Sequence, residues 1–364
     1  MGREDVYRQR LDRLRRAMKG DKLDAFLVWD RANTRYLTGF QGSASLICLT
    51  AERGYFLTDF RYLTFAKATV HHLRIVQAKP PEAEQLAQLL GRQKVHRVGF
   101  EESLPYGLYR SWHNKMEKIE WIEATALIRR LRERKERGEL RRIVEAQRIA
   151  EKVLDRVLAQ CRPEVTERQL ARQLARAIED EGGDGLPFDP IVASGPNGAL
   201  PHAKPGERKL RQGDFVIFDL GVSKDGYASD MTRTIVIGRA TDRQREIYGT
   251  VLEAQRRAIA RIRDGITAKA VDRAARSWIA GKGHEKHFGH GTGHGVGLEV
   301  HEPPRVNPQS TDVLRSGMVV TIEPGIYIPG WGGVRIEDMV FVKRNGCENL
   351  SRFPKNLGGI ESLT

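Results

Sequence analysis

Asp219 lies in the run Phe215-Val216-Ile217-Phe218-Asp219-Leu220, apolar on both faces and therefore expected to be buried. An ionised carboxylate in such a place costs several kcal/mol unless something pairs with it. Asp230 follows in the returning run GYASDMTRTIVI (226–237). A turn on Lys224-Asp225 sets the two acids directly opposite one another. A turn on Asp225-Gly226 makes Asp230 the diagonal neighbour of Asp219's partner, and parity keeps both acids on one face in either register. A second hairpin repeats the pattern: Glu323 in MVVTIEPGIYI (318–328) and Glu337 in GVRIEDMVFV (333–342) are symmetric about Gly330 and should also face one another. Like charges facing across a hairpin are destabilising. Arg233 and Arg335, on the same strands, or a shared proton, are one answer to one such pair; for two pairs in duplicated positions, two divalent cations are the better one.

Histidine lies between the hairpins. HFGHGTGHGVGLEVHE (287–302) carries His290, His294 and His301, with glycine on both sides of the first two. The string contains no GxGxxG phosphate loop, and HEPPR (301–305) is not HExxH. Glycine permits the close backbone approach that a crowded site requires. Three histidines within twelve residues, beside four acids, point to a site, although a single histidine is more often structural. His202, in GALPHAKPG, precedes the first hairpin.

The elements that must carry these residues fall into two parts. Residues 1–130 alternate strand candidates (25–29, 44–50, 54–58, 97–100, 119–122) with helical patterns (4–19, 61–70, 82–91, 105–116), which predicts an α/β sandwich with a parallel or mixed sheet. NTRYLTGF (33–40) reads as a loop. Residues 131–364 read as two helices (136–160, 166–181), a Gly/Pro-rich stretch (182–206) and a hairpin. The same order then returns with helices at 242–263 and 267–281. Leu210-Arg211-Gln212-Gly213 aligns with Leu314-Arg315-Ser316-Gly317, and the same offset of 104 carries Asp219 onto Glu323. The second part is therefore expected to be a pseudo-symmetric duplication of helix–helix–hairpin.

Charge and cysteine usage narrow the classes. Lys plus Arg number 61 against 47 Asp plus Glu, a net charge of +14. Residues 1–130 carry 23 basic and 15 acidic side chains, so the excess is spread along the chain and makes no concentrated nucleic-acid footprint. Its densest stretch, 129–142, interleaves Glu with Arg and reads as a solvated, salt-bridged helix face. No apolar run is long enough for a membrane span. The first eighteen residues read as an amphipathic helix and not as a signal peptide. Cys48, Cys161 and Cys347 form no CxxC or even framework, which suits a reducing, cytoplasmic setting.

Asp219, Asp230, His294, Glu323 and Glu337, in this order and within FDLG, SDMTRT, GHGTGHGVGLEVHE, TIEPGIY and RIED, give a chain that resembles the pita-bread metallopeptidases, in particular the Xaa-Pro group of aminopeptidase P and prolidase. Residues 1–130 resemble the creatinase-type N-terminal α/β domain through YLTGF and LTDFRY. The resemblance implies two divalent metal ions per subunit, Mn²⁺ or Co²⁺ with Zn²⁺ as an alternative. Asp219 would bind one ion, Asp230 and Glu337 would bridge both, and His294 and Glu323 would complete the second. Peptide hydrolysis would proceed by a metal-bridged hydroxide, with Glu323 as proton shuttle. His202 and His301 would contact the substrate and the tetrahedral intermediate. Arg335 would orient ligands or substrate, and His290 and Tyr327 would line the pocket.

The implied activity is removal of an N-terminal residue preceding proline, as by aminopeptidase P. The alternative is a prolidase restricted to Xaa-Pro dipeptides, with Arg305 as a clamp for the dipeptide's C-terminus. Creatinase-like amidinohydrolases lack the five ligands, and methionine aminopeptidases generally lack the first domain. A non-catalytic pita-bread protein that binds RNA or protein partners would usually have lost ligands. Proline-containing peptides are thus the expected partners, and a homodimer is implied; a nucleic-acid or membrane partner is not.

Overall fold

The computed structural model describes residues 3–80 and 82–357, which form two compact units that divide between Arg132 and Glu133. The first is built on a six-stranded mixed sheet of order β4-β3-β2-β1-β5-β6. Its strands are β1 (Ala25–Val28), β2 (Leu46–Thr50), β3 (Gly54–Thr58), β4 (Arg74–Gln77), β5 (Arg97–Phe100) and β6 (Glu120–Glu123). The β1/β2 and β2/β3 pairs are antiparallel; β1/β5, β3/β4 and β5/β6 are parallel. The interior strands β1 and β2 are buried at every residue, while both edges, β4 and β6, are exposed at their ends. Helices α1 (Arg3–Gly20), α2 (Arg31–Thr38), α3 (Leu63–Thr69), α4 (Glu82–Arg92), α5 (Tyr106–Lys115) and α6 (Ala126–Glu133) connect or flank these strands.

Two expectations fail in this unit. The 33–40 segment is largely helix α2, not a loop: Asp30 accepts the Asn33 N–H as an N-cap, and Gly39 ends the helix at φ 77°. Strand β4 (RIVQ) escapes the sequence pattern because its two apolar residues are adjacent and do not alternate. Glu101, fully buried after β5, ties the α2 entry to the sheet. Its Oε2 accepts the N–H groups of Trp29 and Asp30 at 2.6 Å each, and Oε1 accepts from Asn33 Nδ2 at 2.7 Å. Burial pushes its pKa up to about 7 against the pull of those donors. Glu101→Gln sets an amide N–H₂ against one of the donors and should cost about 2 kcal/mol. Urea unfolding checks this; an unchanged midpoint would show that Glu101 does not anchor α2.

The second unit begins with α7 (Arg137–Leu158) and α8 (Glu167–Asp180), packed on a three-stranded sheet of order β11-β8-β7. That sheet comprises β7 (Ile191–Ser194), β8 (Phe215–Leu220) and β11 (Met231–Val236); the tip of its hairpin pairs β9 (Ser223–Lys224) with β10 (Tyr227–Ala228). Helices α9 (Asp242–Ile259) and α10 (Ala268–Gly281) pack in turn over a five-stranded sheet of order β13-β12-β14-β17-β18. Its strands are β12 (Gly293–Gly295), β13 (Glu302–Val306), β14 (Val319–Ile322), β17 (Asp338–Lys343) and β18 (Gly346–Asn349), with the ribbon β15 (Gly325–Ile328) and β16 (Gly332–Arg335) between β14 and β17.

The duplication extends to single bonds. Leu210 N–H is donated to Val165 O and Leu314 N–H to Ile266 O, both at 2.8 Å, and both leucines are fully buried. Isolated bridges Thr166–Lys209 and Thr267–Val313 fasten the second helix of each half at equivalent places.

The 129–142 stretch is not one solvated helix face. It breaks between α6 and α7, where Glu136 and Glu139 form a capping box. Arg132, Lys135 and Glu139 are buried, and Lys135 Nζ pairs with Glu302 Oε2 at 3.1 Å. Side chains reaching inward across the break satisfy charges that sequence spacing places in water. Strands β7, β12, β13 and β18 also lack a sequence signal. They are three to five residues of Gly-, Pro- or Ser-containing chain, in which no period can register.

Candidate metal centre

The hairpin carrying the two aspartates turns on Asp225-Gly226, with φ of 47° and 78°. Positive φ at both positions is the type I′ geometry that matches strand twist. It pairs Lys224 with Tyr227 and Asp219 with Thr232, which is the second of the two registers the sequence allows. Asp230 sits just before β11, on the same face as Asp219. Gly221 allows the opposing chain to come close, because a Cβ there would clash with Ser229 O.

Glu323 and Glu337 occupy a gap between two ladders of one common register, Ile322↔Asp338 and Gly325↔Arg335. The symmetry about Gly330 is therefore kept, but neither acid is in a ladder. Glu323 gives its N–H to Thr292 O at 2.8 Å, and Glu337 gives its N–H to Thr232 O at 3.1 Å. Leaving the sheet frees both side chains to converge. His294 enters on β12, which lies against β14 only because residue 293 is glycine: a Cβ there would be 1.9 Å from Thr321 O.

These elements bring Asp230, His294 and Glu337, all buried, to ligand atoms within 4.8 Å of one another. Glu323 Oε1 is 3.4 Å and Asp230 Oδ2 3.6 Å from His294 Nε2. His294 Nδ1 lies 3.1 Å from Gly295 O, which assigns the ring proton to Nδ1 and leaves the Nε2 lone pair facing two carboxylates. Burial, then the neighbouring His301, lowers the His294 pKa to about 4, so the ring is neutral. Burial and the charge of Glu337 hold Asp230 well above the ordinary carboxylate range. Burial and the charge of Glu323 do the same to Glu337, whose Oε2 accepts the Thr232 hydroxyl at 2.7 Å. Burial pushes Glu323 to about 7.

Asp219 is treated differently. Arg335 Nη2 donates to its Oδ2 at 2.6 Å, while Oδ1 is buried with no hydrogen-bond partner among the described residues. A buried, unsatisfied carboxylate oxygen and an unprotonated imidazole nitrogen aimed at anions are the marks of a cation site. Arg233, the other arginine weighed as an answer to the acids, does not reach their carboxylates; it pairs with Asp338 at 2.8 Å and donates to the Glu337 carbonyl.

All five of these side chains line one cavity of about 490 Å³, together with His202, His290, His301, Arg305 and Arg335. His202 and His301 are exposed on its rim; the His301 ring centroid is 4.3 Å from that of His294. The segment bearing His202 is held by buried Glu167, which accepts from Ser194 N–H, Ser194 Oγ, Asn197 Nδ2 and Gly206 N–H. Tyr327 is not among the residues lining the cavity, contrary to expectation. It lies behind Arg335, with its hydroxyl bonded to Arg335 Nη1 and His290 Nε2 at 2.9 Å each, and burial lifts its pKa to about 12. His290 has both ring nitrogens engaged, Nδ1 with Gly291 O, and presents its ring to the cavity. Burial and the nearby Arg335 lower its pKa to about 4.

Sequence reasoning passes over Thr232 and Thr321. Thr232 shares the face parity of Asp230, which is the available signal. Thr321 Oγ1 accepts the His294 N–H at 3.1 Å and lies 3.4 Å from Glu323 Oε1, a link that only the packing of β12 on β14 creates.

A duplicated helix–helix–hairpin unit that gathers four carboxylates and an imidazole in one cleft defines a metal-dependent hydrolase. The model of metallopeptidase family M24 matches residues 141–344, and the creatinase/prolidase N-terminal domain matches residues 10–134. The chain belongs to metallopeptidase family M24. Among solved structures it is similar to a Xaa-Pro dipeptidase from Bacillus anthracis, at 38% identity and TM-score 0.93 over 96% of this chain and 99% of that one. An X-Pro aminopeptidase from Thermotoga maritima gives 34% identity and TM-score 0.86 over 94% and 99%. By sequence, a Xaa-Pro dipeptidase of Pyrococcus horikoshii is 36% identical over 97% of this chain and 99% of its own length.

Proposed function

We propose that this enzyme is an exopeptidase that cleaves the bond between an N-terminal residue and proline. The observation that carries the reading is the convergence of Asp230, His294 and Glu337 beside the unsatisfied Oδ1 of Asp219 in one cleft. In this reading Asp219 would hold one divalent ion, His294 and Glu323 would hold another, and Asp230 and Glu337 would serve both. Four carboxylates and one imidazole suit Mn²⁺ or Co²⁺, with Zn²⁺ the alternative. When bound, the two ions would activate water and polarise the scissile carbonyl.

The chain's own residues do the rest. Glu323, whose carboxylate faces the same cleft, would take a proton from the attacking water and return it to the leaving nitrogen. His202 and His301, exposed on the rim, would bond the substrate carbonyl and the developing oxyanion. Arg335 fixes Asp219 and with it the first half of the site.

The dipeptidase form is favoured by Arg305. Its side chain lines the cavity near His301, and among the described residues no carboxylate pairs with its guanidinium. It is thus available to clamp a substrate carboxylate. With Mn²⁺, the purified chain should hydrolyse Xaa-Pro dipeptides in preference to Xaa-Pro-Xaa tripeptides. Arg305→Ala should raise KM for the dipeptide about ten- to a hundredfold, the worth of a charge-assisted hydrogen bond, and leave the tripeptide nearly unchanged. Preferred turnover of the longer peptide would assign the aminopeptidase P activity instead.

A reducing, cytoplasmic setting fits the free cysteines Cys48, Cys161 and Cys347. Among the described residues no helix is long and apolar enough to cross a membrane. Homodimer formation belongs to the same reading, with exposed Phe60 and Phe65 as apolar surface on the first unit.

A further inference from the structure

Helix α10 buries Asp272 at 1% exposure and carries Arg276 one turn later. The guanidinium forks onto the carboxylate, Nε to Oδ2 at 2.9 Å and Nη2 to Oδ1 at 2.7 Å. Two further N–H groups are donated to points on the histidine-bearing segment: Nη1 to Phe288 O at 2.9 Å and Nη2 to His290 O at 2.8 Å. The same guanidinium lies 4.2 Å from the Phe288 ring centroid. Asp272 Oδ1 also accepts the Thr292 hydroxyl at 2.7 Å.

This grip bears on the site because residues 288–292 have no strand ladder of their own and are interrupted by Gly289 and Gly291. The ligand-bearing backbone is tightly coupled to them. Thr292 O receives the Glu323 N–H at 2.8 Å. Two residues on, His294 gives its N–H to Thr321 Oγ1, which in turn lies beside Glu323 Oε1. A glycine-rich segment thus acquires a fixed course from an ion pair on a helix, and that course sets where His294 and the Glu323 backbone lie.

We propose that Asp272 and Arg276 are positioning residues that act through Thr292 to hold His294 and Glu323 in register for the second ion. The proposal rests on the reading of His294 and Glu323 as ligands of that ion. Neither residue touches substrate or metal; each acts on the backbone that delivers the ligands.

The test is Mn²⁺ titration calorimetry on the chelator-stripped full chain, alongside kcat and KM for an Xaa-Pro dipeptide. Thr292→Val keeps the volume and removes the hydroxyl, Thr292→Ser restores the hydroxyl, and Arg276→Lys removes the fork. Outer-shell partners of metal ligands are worth about ten- to a hundredfold in affinity. T292V and R276K should therefore weaken the second Mn²⁺ about tenfold and lower kcat with KM little changed, and T292S should stay within about twofold of wild type. A general structural defect would instead lower the unfolding temperature without separating T292V from T292S. T292V binding both ions as wild type does, or T292S as weak as T292V, overturns the proposal. A wild-type chain that takes up fewer than two ions removes the ligand assignment itself, and this inference with it.

Discussion

Asp230→Asn and Glu337→Gln each lower turnover of an Xaa-Pro peptide by about three orders of magnitude or more, with the fold intact. Both side chains are buried and converge with His294, so each offers an oxygen to a shared cation position. An amide keeps the shape, and at Glu337 also an acceptor for the Thr232 hydroxyl, but removes the charge. If each carboxylate serves both ions, as proposed, its loss forfeits several kcal/mol of transition-state charge stabilisation, which at about 1.4 kcal/mol per decade gives the stated factor. Steady-state kinetics with saturating Mn²⁺ measure it. Near-wild-type kcat in either variant would refute the two-ion assignment, whatever the substrate turns out to be.

Metal removal should show in stability as well, and with a definite sign. Asp230 and Glu337 are held well above their ordinary range, and Glu323 stands at about 7. A carboxyl group whose folded pKa is raised contributes stability that is complete below its unfolded value, roughly 4 to 4.5, and is lost as pH rises through the folded value. The chelated chain should therefore lose stability between about pH 5 and pH 8, relative to the Mn²⁺-loaded chain. At a free ion concentration of about 1,000 times Kd, each bound ion restores about 4 kcal/mol. Glu337→Gln, which removes one repelling anion, should match or exceed wild type in chelator and fall below it in Mn²⁺. Thermal unfolding across that pH range decides the matter. A chelated chain that gains stability with rising pH, or a midpoint that ignores Mn²⁺, would contradict this arrangement of charges.

The acids are legible in the sequence for a physical reason: a carboxylate within an apolar strand interrupts a pattern that burial otherwise enforces. Register is legible only as parity. Which pair of residues forms the first turn depends on φ at Asp225, and both alternatives satisfy the hydrophobic alternation. Arg233 and Arg335 cannot be told apart by sequence, since each lies on a strand beside a candidate ligand. Packing sends Arg335 to Asp219 and Arg233 to Asp338. Helix α2 escapes a sequence reading because eight residues with two threonines and an asparagine carry little helical signal until Asp30 and Gly39 cap them. Strands β12 and β13 escape it because glycine and proline suppress any period, yet β12 delivers His294. The position of a candidate ligand is thus clearer than the backbone that holds it.

The division of the acids between the duplicated halves has one further consequence. Asp219 and Asp230 come from the first half; His294, Glu323 and Glu337 come from the second. The halves meet along a seam where Glu337 N–H is donated to Thr232 O and Thr234 Oγ1 to Arg335 O. A substitution along that seam, even of a residue without charge, would reach both of the proposed cation positions at once. Tolerance to mutation should accordingly be narrowest along this thin boundary, and wider within the large apolar layers away from it.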